Sequence, residues 1–308
     1  MLELPTQSTT LTQRVVLDRP DSGQEPFVTL TQQQVVQITL SGLNLCLTIL
    51  AICVSIHFLQ PSFACMLLAL SPIPLIVHRE YLNFLSLGPG GTPSTFSGYL
   101  KISILRLFAL PDTYTPATIA AKVYPPKGYY QRAHSWLPTR KGPRPTIAGI
   151  APQRQIDQTG CPDMYQLLRT SLINLAARHP DNFRIGQSCF EKKGLALFAR
   201  DPINNTCRGE IVHVHHSDRS MHLNLHPEDA KIVLEEGWGE RHPLARGGWM
   251  KQYVPREFLM VYSPRDRDEL EVVCRIIEAA GFWVNGKCFE ISIDSEPLAG
   301  ASMEACGA

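Results

Sequence analysis

A chain of 308 residues suits one or two domains with a full-sized core. Charged residues make up 19% and apolar ones 44%, and a net charge of +1 argues against nucleic acid as the main partner. The nine cysteines are scattered, with no Cys-x-x-Cys pair, and read as reduced, mostly structural thiols of a cytosol-facing domain. There is no glycine-rich nucleotide fingerprint, which argues against a Rossmann or P-loop cofactor site.

Residues 1–36 are rich in Thr, Gln, Ser and Pro without a periodic apolar face, and read as a flexible tail. From Pro26 to His78 there is no Lys, Arg, Asp or Glu. Residues 37–78 are therefore expected to form a membrane anchor of one or two transmembrane helices. Ile38 to Leu59 is long enough for one span, and Ser62 to Val77 is a shorter second piece interrupted by Pro72 and Pro74. Arg79, Lys101 and Arg106 follow the anchor and slightly outnumber Arg14 and Arg19 before it. That bias places the C-terminal domain on the cytosolic side, and the membrane expected is an internal one such as the endoplasmic reticulum.

Residues 79–292 are expected to form a single compact α+β domain with a small mixed sheet and flanking helices. Gly88 to Pro93 is a turn-dense joint. Gly98 to Leu110 then carries a helical stripe of Leu100, Ile104, Leu107 and Phe108. A helix begins at Asp163 and stops before His179-Pro180. Strands are predicted at Phe183 to Ser188 and Leu195 to Ala199. Glu210 to His215 and Ser220 to Leu225 read as a hairpin around His216 to Arg219. A helix opens at Pro227 and ends at Gly237, a buried strand covers Phe258 to Tyr262, and a helix from Asp268 to Ala280 ends at Gly281. Residues 293–308 read as a second flexible tail.

Five of the ten histidines fall between residues 213 and 226: His213, His215, His216, His222 and His226. Imidazole titrates near neutral pH and is the commonest metal ligand, so such density points at chemistry. Period-two geometry sends His213 and His215 to one side of their strand and His222 to the facing side of the next. His242 follows in a turn, beside Trp238 and Arg241. Three uses compete. The side chains are ordinary hydrogen-bonded histidines; or His213, His215 and His222 bind a metal, although neither Asp218 nor Glu210 has a close carboxylate-ligand spacing; or the cluster performs acid–base catalysis through His213, His215, His222 and His242, with Arg241 or a second histidine stabilising an anion. Trp238 is a plausible plate for a flat, oxygenated substrate, with Glu210 and Asp218 as further substrate-binding candidates.

The run Gly237-Trp238-Gly239-Glu240-Arg241-His242-Pro243-Leu244-Ala245 resembles the best-known stretch of the fungal luciferase family. The similarity extends to Glu210-Ile211-x-His213-x-His215, to His222-Leu223, and to Tyr262-x-Pro264-Arg265. Arg79-Glu80-Tyr81, Gly98-Tyr99 and Arg144-Pro145-x-Ile147 add to it upstream, in matching order. The resemblance implies a membrane-anchored enzyme that oxygenates a hydroxylated pyrone with O2 as co-substrate and no organic cofactor. Members also occur beside polyketide genes in fungi that do not glow. What it implies here is therefore a tailoring oxygenase of a pyrone or polyphenolic polyketide, with a non-redox cyclase, isomerase or dehydratase, or a non-catalytic ligand- or metal-binding membrane protein, as alternatives.

Overall fold

The computed structural model describes residues 42–59, 67, 70–118, 123–134, 136–294 and 296. The tail expected over residues 1–36 and most of the one over 293–308 lie outside them. The described residues fall into two units, divided between Ile73 and Pro74.

Residues 37–41, 60–66, 68 and 69 of the expected anchor lie outside the described residues, and within those described the membrane-spanning helices are not found. Among the described residues no helix is long and apolar enough to cross a membrane. Helix α1 (Gly42–Leu59) has 18 residues, a rise of about 27 Å against a hydrocarbon core of roughly 30 Å. The second apolar piece does not end in a span either. Its last residues open α2 (Pro72–Ser86), which runs on through Arg79 and Glu80 and buries Phe84. The two prolines stand in the first turn, where a missing backbone N–H costs little. Next comes α3 (Phe96–Arg106), capped by the Thr95 hydroxyl, which accepts from the Gly98 N–H at 3.2 Å. Its buried side is Gly98, Ile102 and Leu105, whereas the stripe that the apolar spacing marks, Leu100, Ile104, Leu107 and Phe108, is exposed.

The α+β architecture is present. A six-stranded sheet has the order β3–β4–β5–β6–β8–β7, formed by β3 (Phe183–Gln187), β4 (Leu195–Ala199), β5 (Glu210–Val214), β6 (Met221–Asn224), β7 (Gly239–Arg241) and β8 (Phe258–Val261). Every pair in it is antiparallel, a refinement of the mixed sheet expected. A two-stranded antiparallel ribbon, β1 (Ile147–Gly149) with β2 (Gln153–Gln155), precedes it. Helix α4 (Tyr129–Ala133) is short. The remaining helices are α5 (Pro162–Arg178), α6 (Pro227–Glu235) and α7 (Arg267–Asn285).

Alternation divides the central strands. Val212 and Val214 pair with Leu223 and Met221, and Leu259 and Val261 continue this face on β8. These side chains join Leu172, Val273, Ile277 and other apolar residues of α5 and α7 in the larger core. Helix α7 runs five residues past Ala280, because Gly281 is not its terminator. A Cβ on Gly281 would lie 2.2 Å from the Phe289 ring, so glycine there admits a close-packed aromatic. The helix stops instead at Gly286, whose φ of +75° favours glycine. Cys189 and Cys207, which the scattered spacing leaves as free thiols, form a disulfide with Cα atoms 6.1 Å apart.

Candidate active site

The other face of β5, β6 and β8 is polar yet closed to solvent. His213 and His222 are register partners, and Met260 and Phe258 lie on the same face of β8. His213, His215, His222 and His242 are each no more than 4% exposed. The His213 and His222 ring centroids are 5.2 Å apart, those of His215 and His222 4.7 Å, and those of His222 and His242 5.5 Å. Phe258 stacks on His222 at 5.2 Å with an 8° tilt, and Phe190 packs on Phe258 at 4.6 Å.

Each imidazole of the wall has an outward partner. The Nδ1 of His213 lies 2.6 Å from Glu210 Oε1; that carboxylate also accepts from the Ser188 hydroxyl and the Cys189 N–H, each at 2.8 Å. The Nδ1 of His215 lies 2.8 Å from Ser220 Oγ and 3.3 Å from Asp218 Oδ1. Asp218 is held at a pKa of about 2: burial opposes ionisation, but bonds from His215, Ser220 and the Gln155 N–H outweigh it. The Nε2 of His222 lies 2.9 Å from Gln153 Oε1, and the Gln153 amide donates to Glu240 at 3.0 Å. Burial, and then the neighbouring imidazoles, hold His222 well below the usual histidine range; burial lowers His215 too, and takes His242 to about 3. These rings are therefore neutral at pH 7.

Beside this wall lies a cavity of about 130 Å³, bordered by His213, His222, His242, Gln153, Phe190 and Phe258. Its far side comes from α3, through Ile102 and Leu105, and from Tyr253 and Val254. Volume and lining suit a small, flat, partly polar ligand.

The structure brings His213, His215, His222 and His242 together, with Glu210 and Asp218 in contact with two of the rings, and leaves Trp238 and Arg241 apart from them. Glu210 and Asp218 stand behind the rings and hold them by hydrogen bonds rather than lining the cavity. Trp238 belongs to the helix-side core and donates its indole N–H to Pro138 O at 2.5 Å. Arg241 alternates with Glu240 on β7 and so points away from the histidines. Its guanidinium donates to the carbonyls of Ala245, Thr115 and Arg256, pinning three loop segments. The glycine before this pair has a steric reason: a Cβ on Gly239 would lie 2.4 Å from Met260 O across the strand pair. His226 caps α6, where its Nδ1 accepts from the Glu228 N–H at 3.2 Å, and His216 is exposed. Gln153 and Phe190 were not foreseeable as site residues. They sit in loop-rich sequence 60 and 23 positions before His213, without periodicity to mark them.

A luciferase domain family matches residues 208–280, which include β5, β6 and the His242 turn. The chain is 33% identical over 227 residues to a luciferase of Neonothopanus nambi, covering 68% of this chain and 82% of that one. It is 34% identical over 229 residues to a luciferase of Armillaria mellea, and 34% over 227 residues to one of Armillaria gallica, with the same coverage of both chains. No solved structure matches.

Proposed function

The chain belongs to the fungal luciferase family, and from that membership we propose that it is a luciferase-like oxygenase. Its substrate is a hydroxylated pyrone or related aromatic polyketide, its co-substrate is O2, and it uses no organic cofactor. The observation that carries this reading is the cavity bordered by the histidine wall and the Phe190–Phe258 pair. Direct attack of O2 on an aromatic ring needs an electron-rich anion, so the substrate's enolic proton must leave first. The unprotonated imidazoles of His222 and His242 favour that loss, and the apolar lining of Ile102, Leu105, Phe190 and Phe258 limits the water around the enolate. Arg241, tied to three carbonyls, does not hold the anion.

Size narrows the substrate. A cavity of about 130 Å³ is close to one that accommodates a single benzene ring, and well below the roughly 300 Å³ at which drug-sized pockets begin. We infer that the reacting ring alone is enclosed, with any substituent leaving past Lys101 and Tyr253, which also border the cavity.

Oxygen uptake with a panel of 3-hydroxylated pyrones tests the proposal. One O2 is expected to disappear per substrate, and His222→Ala is expected to lower kcat/KM at least about 100-fold, the span ordinarily lost with a positioned acid–base group, with an unchanged far-ultraviolet dichroism spectrum. Product formed at the same rate under strict anaerobiosis would replace this reading with non-redox cyclisation or isomerisation.

A further inference from the structure

We propose that His213, His215 and His222 bind one divalent first-row transition-metal ion, whose open position faces the cavity. One nitrogen from each ring lies within 4.8 Å of the other two, and all three side chains are buried.

The hydrogen bonds decide what those inner nitrogens carry. Glu210 and Asp218 are acceptors, so they take the Nδ1 protons of His213 and His215. Gln153 turns its Oε1 toward His222 because its amide N–H donates to Glu240, so His222 gives its Nε2 proton outward. With the outer nitrogens engaged in this way, the nitrogens turned inward are Nε2 of His213, Nε2 of His215 and Nδ1 of His222, the atoms free to bind a cation. The His213 Nε2 is buried and has no hydrogen-bond partner, and the inner nitrogens of His215 and His222 face each other at 3.0 Å. One shared proton would relieve that pair and leave His213 unsatisfied. A single cation at the centre satisfies all three.

Distance and surroundings agree. With metal–nitrogen bonds of about 2.0–2.1 Å, neighbouring ligand nitrogens stand roughly 3.0–3.4 Å apart. The His215–His222 pair already has this spacing, and a modest turn of the His213 ring closes the set. Metal-bound histidines characteristically donate their second N–H to a carboxylate or amide oxygen, the arrangement all three rings show. Three imidazoles suit Zn(II), Fe(II), Co(II) or Cu(II) rather than the oxygen-seeking Mg(II) or Ca(II). Such an ion would polarise an enolic oxygen in the cavity and promote loss of its proton to solvent, in place of the free imidazole nitrogens of His222. That last point rests on the oxygenase reading; the binding site itself does not.

The test uses tag-free full-length protein stripped with a chelator and titrated with Co(II). Expected are one bound equivalent, visible d–d absorption bands, and a rise in Tm. His222→Gln and His215→Gln are expected to abolish the bands, His216→Gln to leave them unchanged, and Glu210→Gln to weaken binding about 10- to 100-fold, as loss of a second-layer partner does. If the ligand variants fail to fold, the Glu210→Gln affinity alone decides the matter. Absence of stoichiometric binding by folded wild-type protein, or equal binding by the His222 and His216 variants, would overturn the proposal. Cobalt bound without any oxygen uptake on the pyrone panel would keep the metal site and sink the oxygenase.

Discussion

The two faces of the central sheet are made from the same strands and obey different rules. On the helix side, Val212, Val214, Met221, Leu223, Leu259 and Val261 fill the space beneath α5 and α7 with methyl groups. On the other side the intervening positions hold His213, His222 and Phe258, equally buried but facing a cavity. Burying polar rings beside unfilled space adds little to stability. The helix side therefore holds the fold together, and the histidine side uses the rigidity it gains from being the reverse of a packed core.

Adjacent residues of β6 test this division most severely. Leu223→Ala removes a 1% exposed side chain from the helix side, which costs about 2–5 kcal/mol and is expected to lower Tm sharply while leaving kcat of the folded fraction unchanged. His222→Leu is expected to do the reverse: turnover disappears and stability changes by about 1 kcal/mol, the size of one hydrogen bond exchanged for apolar contact. Chemical denaturation of both variants, paired with their turnover, checks it. If His222→Leu were the more destabilising, the histidine side would be structural.

Arg241 sharpens the boundary. It stands inside the motif that resembles the luciferases, but its bonds to Thr115, Ala245 and Arg256 make it a loop clamp. Arg241→Lys keeps the charge and loses the fork, with an expected cost of about 1–2 kcal/mol. Measured by thermal denaturation and steady-state kinetics, it should lower Tm and leave KM within about twofold, the small change expected when no substrate contact is lost. A KM raised by tenfold at constant Tm would return the guanidinium to the substrate.

How far the sequence discloses this division depends on distance along the chain. The β5–β6 hairpin, with His213 opposite His222, follows from period-two alternation and a four-residue turn, and the helix-side apolar positions follow from the same rule. Gln153, Phe190 and α3 close the cavity from segments far upstream, and no local period records which way they fold back. The motif around Arg241 places residues near one another in sequence without saying which face each takes; strand alternation separates Glu240 from Arg241, and His242 follows just past the strand end. The apolar run before Arg79 misleads for a different reason. Hydropathy reports a preference to leave water, and it cannot tell a span from a short apolar helix followed by an amphipathic one.

Glu240 gives the subtlest contrast, because it lies on the histidine side but behind the wall. Burial raises its pKa to about 7, against the opposing hydrogen bonds from Tyr262 and Gln153 and the charge of Arg144. A carboxyl with a folded pKa above its unfolded value of 4.5 takes up a proton on folding between the two. Its contribution is therefore fully present below about pH 4.5 and is lost as pH rises through 7. Glu240→Gln carries no charge at any pH, so its stability relative to wild type should improve from pH 5 to pH 8, by on the order of 1 kcal/mol. Paired thermal melts at the two pH values measure it. A difference that is flat, or that runs the other way, would mean that Glu240 is already ionised in the folded protein, with the Gln153 amide and Tyr262 hydroxyl stabilising a carboxylate rather than an acid.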